Sequence, residues 1–408
     1  MELTPSSIWI VTSAALVLLM TPGLAFFYGG LVKAKSVVSM MMLSFGSIAL
    51  IGVLWILYGY MMYTGAGGDG GYFEGAAGLI PGFVGNPFAG FGLTAAGIDL
   101  IDVAFGATFA IITTALISGA IADRAKFGSW LIFAGVWATL VYFPVAGWVW
   151  GGGWIQSWTI NGYSVIDLAG GTAVHINAGA AALALAIVLG KRVGFQKGIQ
   201  KPHNVPFVVL GASILWFGWF GFNTGLSGDQ GALGLSFLNT IGAPAAAMLG
   251  WLIIEKIKDG KPTSVGAASG AVAGLVAITP AAGNLTPGWA LLLGLIAGAV
   301  SALAIELKWK LGYDDSLDVV GIHLVSGFIG TVYLGFVATD AGLLFTGDVS
   351  QLILQTGSAL AVAAYSFVVA LVIGLVIEKT IGFRIRNEDE LAGIDTVVHG
   401  ESGYVLAD

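Results

Sequence analysis

The chain contains no cysteine, which excludes both a disulfide framework and a thiolate metal site. Charge is almost as scarce. Only 10% of the 408 residues are Asp, Glu, Lys or Arg, against about 25% in a soluble domain, and the mean hydropathy is +0.91. A water-soluble globular chain is therefore excluded. The first residues, "MELTPSSIWIVTS", carry no Lys or Arg. They read as a short external end running into a first span rather than as a signal peptide. Paired acid–base carboxylates and histidine–glutamate zinc spacing are missing from the apolar runs. That argues against an enzyme and a metal centre, and no cofactor or nucleic acid is expected.

What is present is long and apolar. Hydrophobic residues make up 57% of the chain. Runs such as 8–32, 130–165 and 352–377 contain no charge at all. Each is long enough to cross a hydrocarbon core of ~30 Å as a helix. There are 63 glycines among the 408 residues, about twice ordinary usage. In a membrane, small residues let helix backbones approach closely. The composition thus predicts an all-α polytopic membrane protein with a tightly packed bundle, placed in the cell membrane.

The sixteen Lys and Arg residues fall into six clusters. They are Lys33 and Lys35; Arg124 and Lys126; Lys191, Arg192, Lys197 and Lys201; Lys256, Lys258 and Lys261; Lys308 and Lys310; and Lys379, Arg384 and Arg386. Between them lie turn-rich segments free of both residues, such as "WGGGWIQSWTINGYSVID", "TGLSGDQGA" and "ATDAGLLFTGD". Basic loops face the cytoplasm, so the alternation predicts eleven spans with an outside N-terminus and a cytoplasmic C-terminus. The expected spans are 8–32, 37–63, 99–122, 127–147, 168–190, 206–227, 231–255, 264–281, 287–307, 318–338 and 351–381. Residues 1–383 then form the membrane domain and 384–408 a cytoplasmic tail, either disordered or docked under the bundle. Five spans followed by five, starting on opposite sides, is the arithmetic of an inverted repeat with one helix added.

Two histidines fit that symmetry. His175 follows "DLAGGTAV" in span 5, and His323 follows "DVVGI" in span 10. Each lies five to seven residues inside its helix, or ~7–11 Å at 1.5 Å per residue. Entering from opposite faces, both approach the midplane, where polar side chains are costly and point to function. A shared hydrogen bond between the rings and a pair of axial haem ligands are both open at this point; an absorbance scan separates them. Asp167 and Asp318 each precede one of these helices as candidate caps. His203 and His399 read as solvated cytoplasmic residues. Trp148, Trp150, Trp154 and Trp158 crowd one external loop, where some can hold a small cation against their faces.

The blocks "DLAGGTAVHINAG", "GKRVG", "GWFGFNTG", "TPAAG", "DVVGIH" and "GID…HGESGY" resemble, in this order, the ammonium transporter (Amt/Mep/Rh) family, Amt branch. The resemblance implies a homotrimer with one narrow hydrophobic pore per protomer. It implies that Trp150 and Phe109, with Tyr142 nearby, form an outer site for ammonium or methylammonium, and that Asp167 stands behind it. Phe109 and Phe222 would close the entrance; His175, His323 and Trp219 would line the pore. Two positions depart from the family: Leu226 stands where a serine is common, and Gly106 where a glutamine is frequent. A PII-type (GlnK/GlnB) signalling protein at the cytoplasmic face is the implied partner.

A pore lined by phenyl and aliphatic groups disfavours a bare cation. Ammonium would lose its proton and cross as ammonia, with the imidazoles, of ordinary pKa near 6.5, relaying the proton or holding the neutral species. An ammonium sensor and a Rhesus-type gas channel of the same fold are the alternatives. Trp150 and the span count favour the Amt branch.

Overall fold

The computed structural model describes residues 4–67, 78–95, 97–195 and 201–404. Ten of its helices are long and apolar enough to cross a membrane. They are α1 (Pro5–Leu31), α2 (Ala34–Thr64), α3 (Leu100–Ile121), α4 (Phe127–Trp150), α5 (Gly171–Leu189), α6 (Val205–Thr224) and α7 (Gln230–Asp259), then α9 (Pro287–Leu311), α10 (Val320–Val337) and α11 (Ser350–Thr380). Between α7 and α9 lies α8 (Ser264–Ile278), apolar but only 15 residues long. The expected eleven segments are thus all helical, and α8 falls below the length of an ordinary span. Two small hairpins, β1 (Gly78–Ile80) with β2 (Val84–Gly85) and β3 (Thr159–Ile160) with β4 (Tyr163–Ser164), lie in connections.

Local sequence explains the starts. Thr4, Asp99, Asn204, Asp229 and Thr263 each accept a backbone N–H at the head of α1, α3, α6, α7 and α8, as N-caps do. Packing then depends on small residues. A Cβ at Gly294 or Gly298 of α9 would stand 2.0 Å from the carbonyl oxygens of Ala243 and Ala247, so only glycine lets α9 lie on α7 at this distance. Large apolar side chains such as Phe45, Leu249 and Val372 remain exposed on the outside, as a hydrocarbon-facing surface requires.

The basic clusters gather at one end. Arg192 pairs with Asp314 at 2.9 Å and Asp123 at 3.3 Å. Arg124 donates to the Asp314 carbonyl and to Ser316. Lys126 reaches the Ile381 carbonyl, and Lys258 pairs with Glu306. Trp150, the last residue of α4, and the connection from it to Asp167 lie at the other end of α4 and α5. We call these the basic and the aromatic end. The tail docks through residue 404: Asp395 accepts from Val38 and Ser39 N–H at 3.0 and 2.7 Å, and Glu390 pairs with Arg384 at 2.9 Å. His203 is consequently not a solvated residue. Its ring nitrogens contact the Val32 carbonyl and the Tyr404 hydroxyl, both at 2.8 Å. His399 lies edge-on to Phe127.

Candidate functional site

At the aromatic end, a cavity of about 300 Å³ opens between α2, α3, α4 and α6. Phe109, Tyr142, Trp150 and Phe222 line it, with Trp55, Asp102, Gln156, Asn223 and Leu226 among its other walls. Trp150 is aimed by its indole N–H, which donates to the Asp167 carbonyl at 2.8 Å. Its ring meets Phe109 edge to face, with centroids 6.1 Å apart. Tyr142 sits in a widened turn of α4, Ala138–Tyr142, buried against Trp137 and Phe143.

The floor of the cavity is a ring stack. Phe109 of α3 and Phe222 of α6 lie nearly parallel, 20° apart with centroids at 4.2 Å. Beyond them is a second, much smaller space of about 10 Å³ lined by His175, His323, Trp219, Phe222, Leu24 and Val272 among others. That is about the room one water-sized molecule needs.

His175 and His323 meet there. Their Nδ1 atoms are 3.2 Å apart and their rings nearly parallel, at 21°. Both residues are almost fully buried, at 1% and 2% exposure. A contact between two Nδ1 atoms forces opposite roles. In a neutral pair, one ring holds its proton on Nδ1 and offers a bare Nε2, while the other accepts at Nδ1 and carries Nε2–H. The pair thus presents one acceptor and one donor. His175 Nε2 has no hydrogen-bond partner. Trp219 stacks on His175 at 5.5 Å and is held by its N–H to Thr279 Oγ1 at 2.8 Å.

Both histidines sit in widened turns, Gly171–Ile176 and Val320–Val325, that open their helices. Asp167 explains the first. Its carboxylate accepts from the N–H groups of Gly170, Gly171, Thr172 and Ala173, and from the Thr172 hydroxyl. The side chain is fully engaged by the helix start and does not line the outer cavity; its carbonyl reaches the site, through Trp150. In α10 the corresponding cap is Asp315, not Asp318. Asp315 accepts from Val320 N–H at 2.7 Å. Asp318 adopts a left-handed conformation, φ 64°, as Gly170 does with φ 115°, and pairs with Lys308.

Comparison with known proteins agrees with this architecture. The model of the Ammonium Transporter Family matches residues 8–404. The chain belongs to that family. An ammonium transporter of Mycobacterium tuberculosis H37Rv is 50% identical, over 98% of this chain and 90% of its own. Ammonium transporter Amt1 of Archaeoglobus fulgidus is 40% identical over 97% and 98%. Among solved structures, Candida albicans Mep2 superposes with a TM-score of 0.83 at 31% identity, covering 94% of this chain and 87% of that one. A sensor Amt protein superposes at 0.86 with 26% identity, over 97% and 98%. Family members are membrane transporters of ammonium, not enzymes, and this chain is a multi-pass protein of the cell membrane.

Sequence reasoning missed several contributors. Trp55 and Asp102 reach the outer cavity from α2 and α3 without any local motif. Gln355 of α11 fixes the connection before α5, accepting from Ile166 N–H at 2.8 Å and donating to its carbonyl at 2.7 Å. The departure at Gly106 has a local reason: a Cβ there would stand 2.7 Å from the Trp55 ring. Leu226 lies on the cavity rim, 60% exposed.

Proposed function

We propose that this chain recruits ammonium in the outer aromatic cavity and passes ammonia through a hydrophobic pore holding His175 and His323. The supporting observation is the buried Nδ1–Nδ1 contact directly beneath the Phe109–Phe222 stack. An unpaired charge at the bilayer centre costs at least about 2.5 kcal/mol on the most lenient scale. Among the described residues lining the space by the histidines there is no carboxylate to offset that cost. A neutral molecule with one lone pair and several N–H groups suits it better: the bare Nε2 accepts from it and the Nε2–H of the other ring donates to it. The proton left at the entrance follows by the histidine pair or returns outside.

In this reading the aromatic end faces outward and the basic end the cytoplasm, as basic loops favour. Trp150, Phe109 and Tyr142 hold the cation, Phe109 and Phe222 gate the pore, and Trp219 forms its wall with the histidines. Asp167 acts through Trp150 and the start of α5. Three chains assemble as a trimer, each with its own pore, and the tail, docked over its described residues 384–404, offers the surface a PII-type protein would cover.

Proteoliposome recordings test the transport reading. Ammonium should evoke uptake in the native protein and far less in His175→Ala and His323→Ala, with Asp at either position changing the proportion of charge moved to ammonium taken up. Unchanged uptake and current in these variants would sink the histidine-pair mechanism. Mass measurement in detergent checks the trimer. A pull-down with PII protein under ADP, ATP and 2-oxoglutarate checks the partner.

A further inference from the structure

We propose that Asp102 supplies the charge of the outer ammonium site, an inference that rests on the outer cavity being where ammonium is recruited. Among the described residues lining that cavity, Asp102 alone has a carboxyl side chain. The position has a bland explanation, since carboxylates in a helix's first turn complement its N-terminus. Here that task falls to Asp99, whose Oδ1 accepts from Ile101 N–H at 2.9 Å. Asp102 turns elsewhere. Its Oδ2 accepts from the Tyr60 hydroxyl at 2.9 Å, and Tyr60 is wedged edge-on against Trp55, only 2% exposed. Trp55 is in turn anchored by its N–H to the Val103 carbonyl at 2.9 Å. A buried tyrosine therefore holds the carboxylate on the cavity wall.

Asn223 adds a second, independent mark of a ligand. Its Nδ2 donates to Thr240 Oγ1 at 3.0 Å, and that hydroxyl donates onward to the Ser236 carbonyl at 2.7 Å. Since Thr240 can only accept from Asn223, the amide orientation is set. Asn223 Oδ1 is left as a buried acceptor with no partner, on a residue of the same cavity wall that is 3% exposed. Aromatic faces, a fixed carboxylate and a bare amide oxygen together suit a small cation that carries N–H donors. The carboxylate draws the cation in from a distance and the faces and amide hold it, so charge at position 102 acts on capture rather than on passage.

The test is the ammonium dependence of uptake in vesicles of zwitterionic lipid, for native protein, Asp102→Asn, Asp102→Glu and Trp150→Leu. Asp102→Asn should raise the half-saturating concentration by about tenfold at low ionic strength, with little loss of maximal rate. The difference should shrink at high salt, because exposed charges are screened over about 10 Å at 0.1 M. Asp102→Glu should stay near native. If Asp102→Asn matches native protein in half-saturation and salt dependence while Trp150→Leu is impaired, Asp102 has no such role. Equal impairment of the Asn and Glu variants would also overturn it, by making the effect one of shape through Tyr60. If Trp150→Leu and Asp102→Asn are both native-like, the outer cavity itself is not the recruitment site.

Discussion

Asp167 and Asp315 stand at opposite ends of the bundle, each eight residues before one of the paired histidines, and each receives the N–H groups that open the histidine's helix. Three residues after each comes a left-handed position, Gly170 or Asp318. The same device is therefore used twice, once from each side, and it sets the height at which His175 and His323 meet. Removing it should be costly. Each buried donor left without an acceptor costs about 1–3 kcal/mol, and Asp167 serves four backbone N–H groups and a hydroxyl. Thermal melting in detergent should fall in the order native, Asp167→Asn, Asp167→Ala, with the alanine protein losing about 3 kcal/mol or more. A midpoint for Asp167→Ala equal to native would show that these bonds do not hold the helix start.

At the basic end the same geometry gives a pH dependence. Burial, reinforced by the charge of Asp318 and opposed by Lys308, pushes the Asp315 carboxyl up to about 6, from an unfolded value of about 3.9. Between those values the folded protein keeps a proton that the unfolded chain has lost, so this group's contribution to stability falls as pH rises through the window. Asp315→Asn keeps an acceptor for Val320 N–H but does not titrate. Relative to native, its melting midpoint should improve steadily from pH 4 to about pH 6 and level off above. A constant offset over that range would assign the Asp315 proton no part in stability.

These two aspartates also mark how far the sequence could be read. Charge clusters locate the ten long apolar helices, because a membrane enforces long uncharged runs between them, and the two buried histidines stand out for the same reason. In the sequence, Asp318 reads as the cap of α10 because it directly precedes the apolar run. The actual cap lies three residues earlier, beyond a left-handed turn that neither helical nor strand periodicity encodes. Trp55, Tyr60 and Asp102 were invisible for a different reason. Trp55 and Asp102 line the outer cavity and Tyr60 holds Asp102; they come from two helices whose facing sides are set by packing, and nothing within either segment marks which side that is. His203 paired with Tyr404, 201 residues away, is illegible on the same grounds.

Gly106 is one departure from the family pattern that the packing explains. Its missing side chain is where the Trp55 ring lies, so Gly106→Ala forces a contact of 2.7 Å with an aromatic ring that cannot bend aside. Trp55 must rotate and loosen its bond to the Val103 carbonyl. Overpacking of this kind costs typically about 1–3 kcal/mol. A lowered melting midpoint together with a shift in tryptophan emission is expected, and Gly106→Gln should do the same more strongly. Native-like melting and emission would mean that Trp55 is free to move.

The Phe109–Phe222 stack separates a cavity of about 300 Å³ from one of about 10 Å³. Phe222→Ala removes one leaf of that partition and joins the two spaces. The variant should lose about 3 kcal/mol of stability, as Phe-to-Ala changes in cores do, and should discriminate less well by size. Uptake of methylammonium relative to ammonium is the readout. A ratio that stays at the native value would place the selective constriction elsewhere.

The tail is held by a small number of separable contacts, which makes its docking measurable. Asp395 accepts two N–H groups at the head of α2, Glu390 joins Arg384 to Val193 N–H, and the Tyr404 hydroxyl meets His203. Arg386 is already exposed just ahead of these anchors, so trypsin should cut after it whenever the tail lifts away. Asp395→Ala deletes two hydrogen bonds of about 1 kcal/mol each, which raises the lifted population by roughly tenfold or more where opening is faster than cleavage. Mass spectrometry of the released peptide gives the rate. Cleavage of Asp395→Ala and native protein at one speed would mean that Asp395 does not hold the tail, and that Glu390 and Tyr404 suffice.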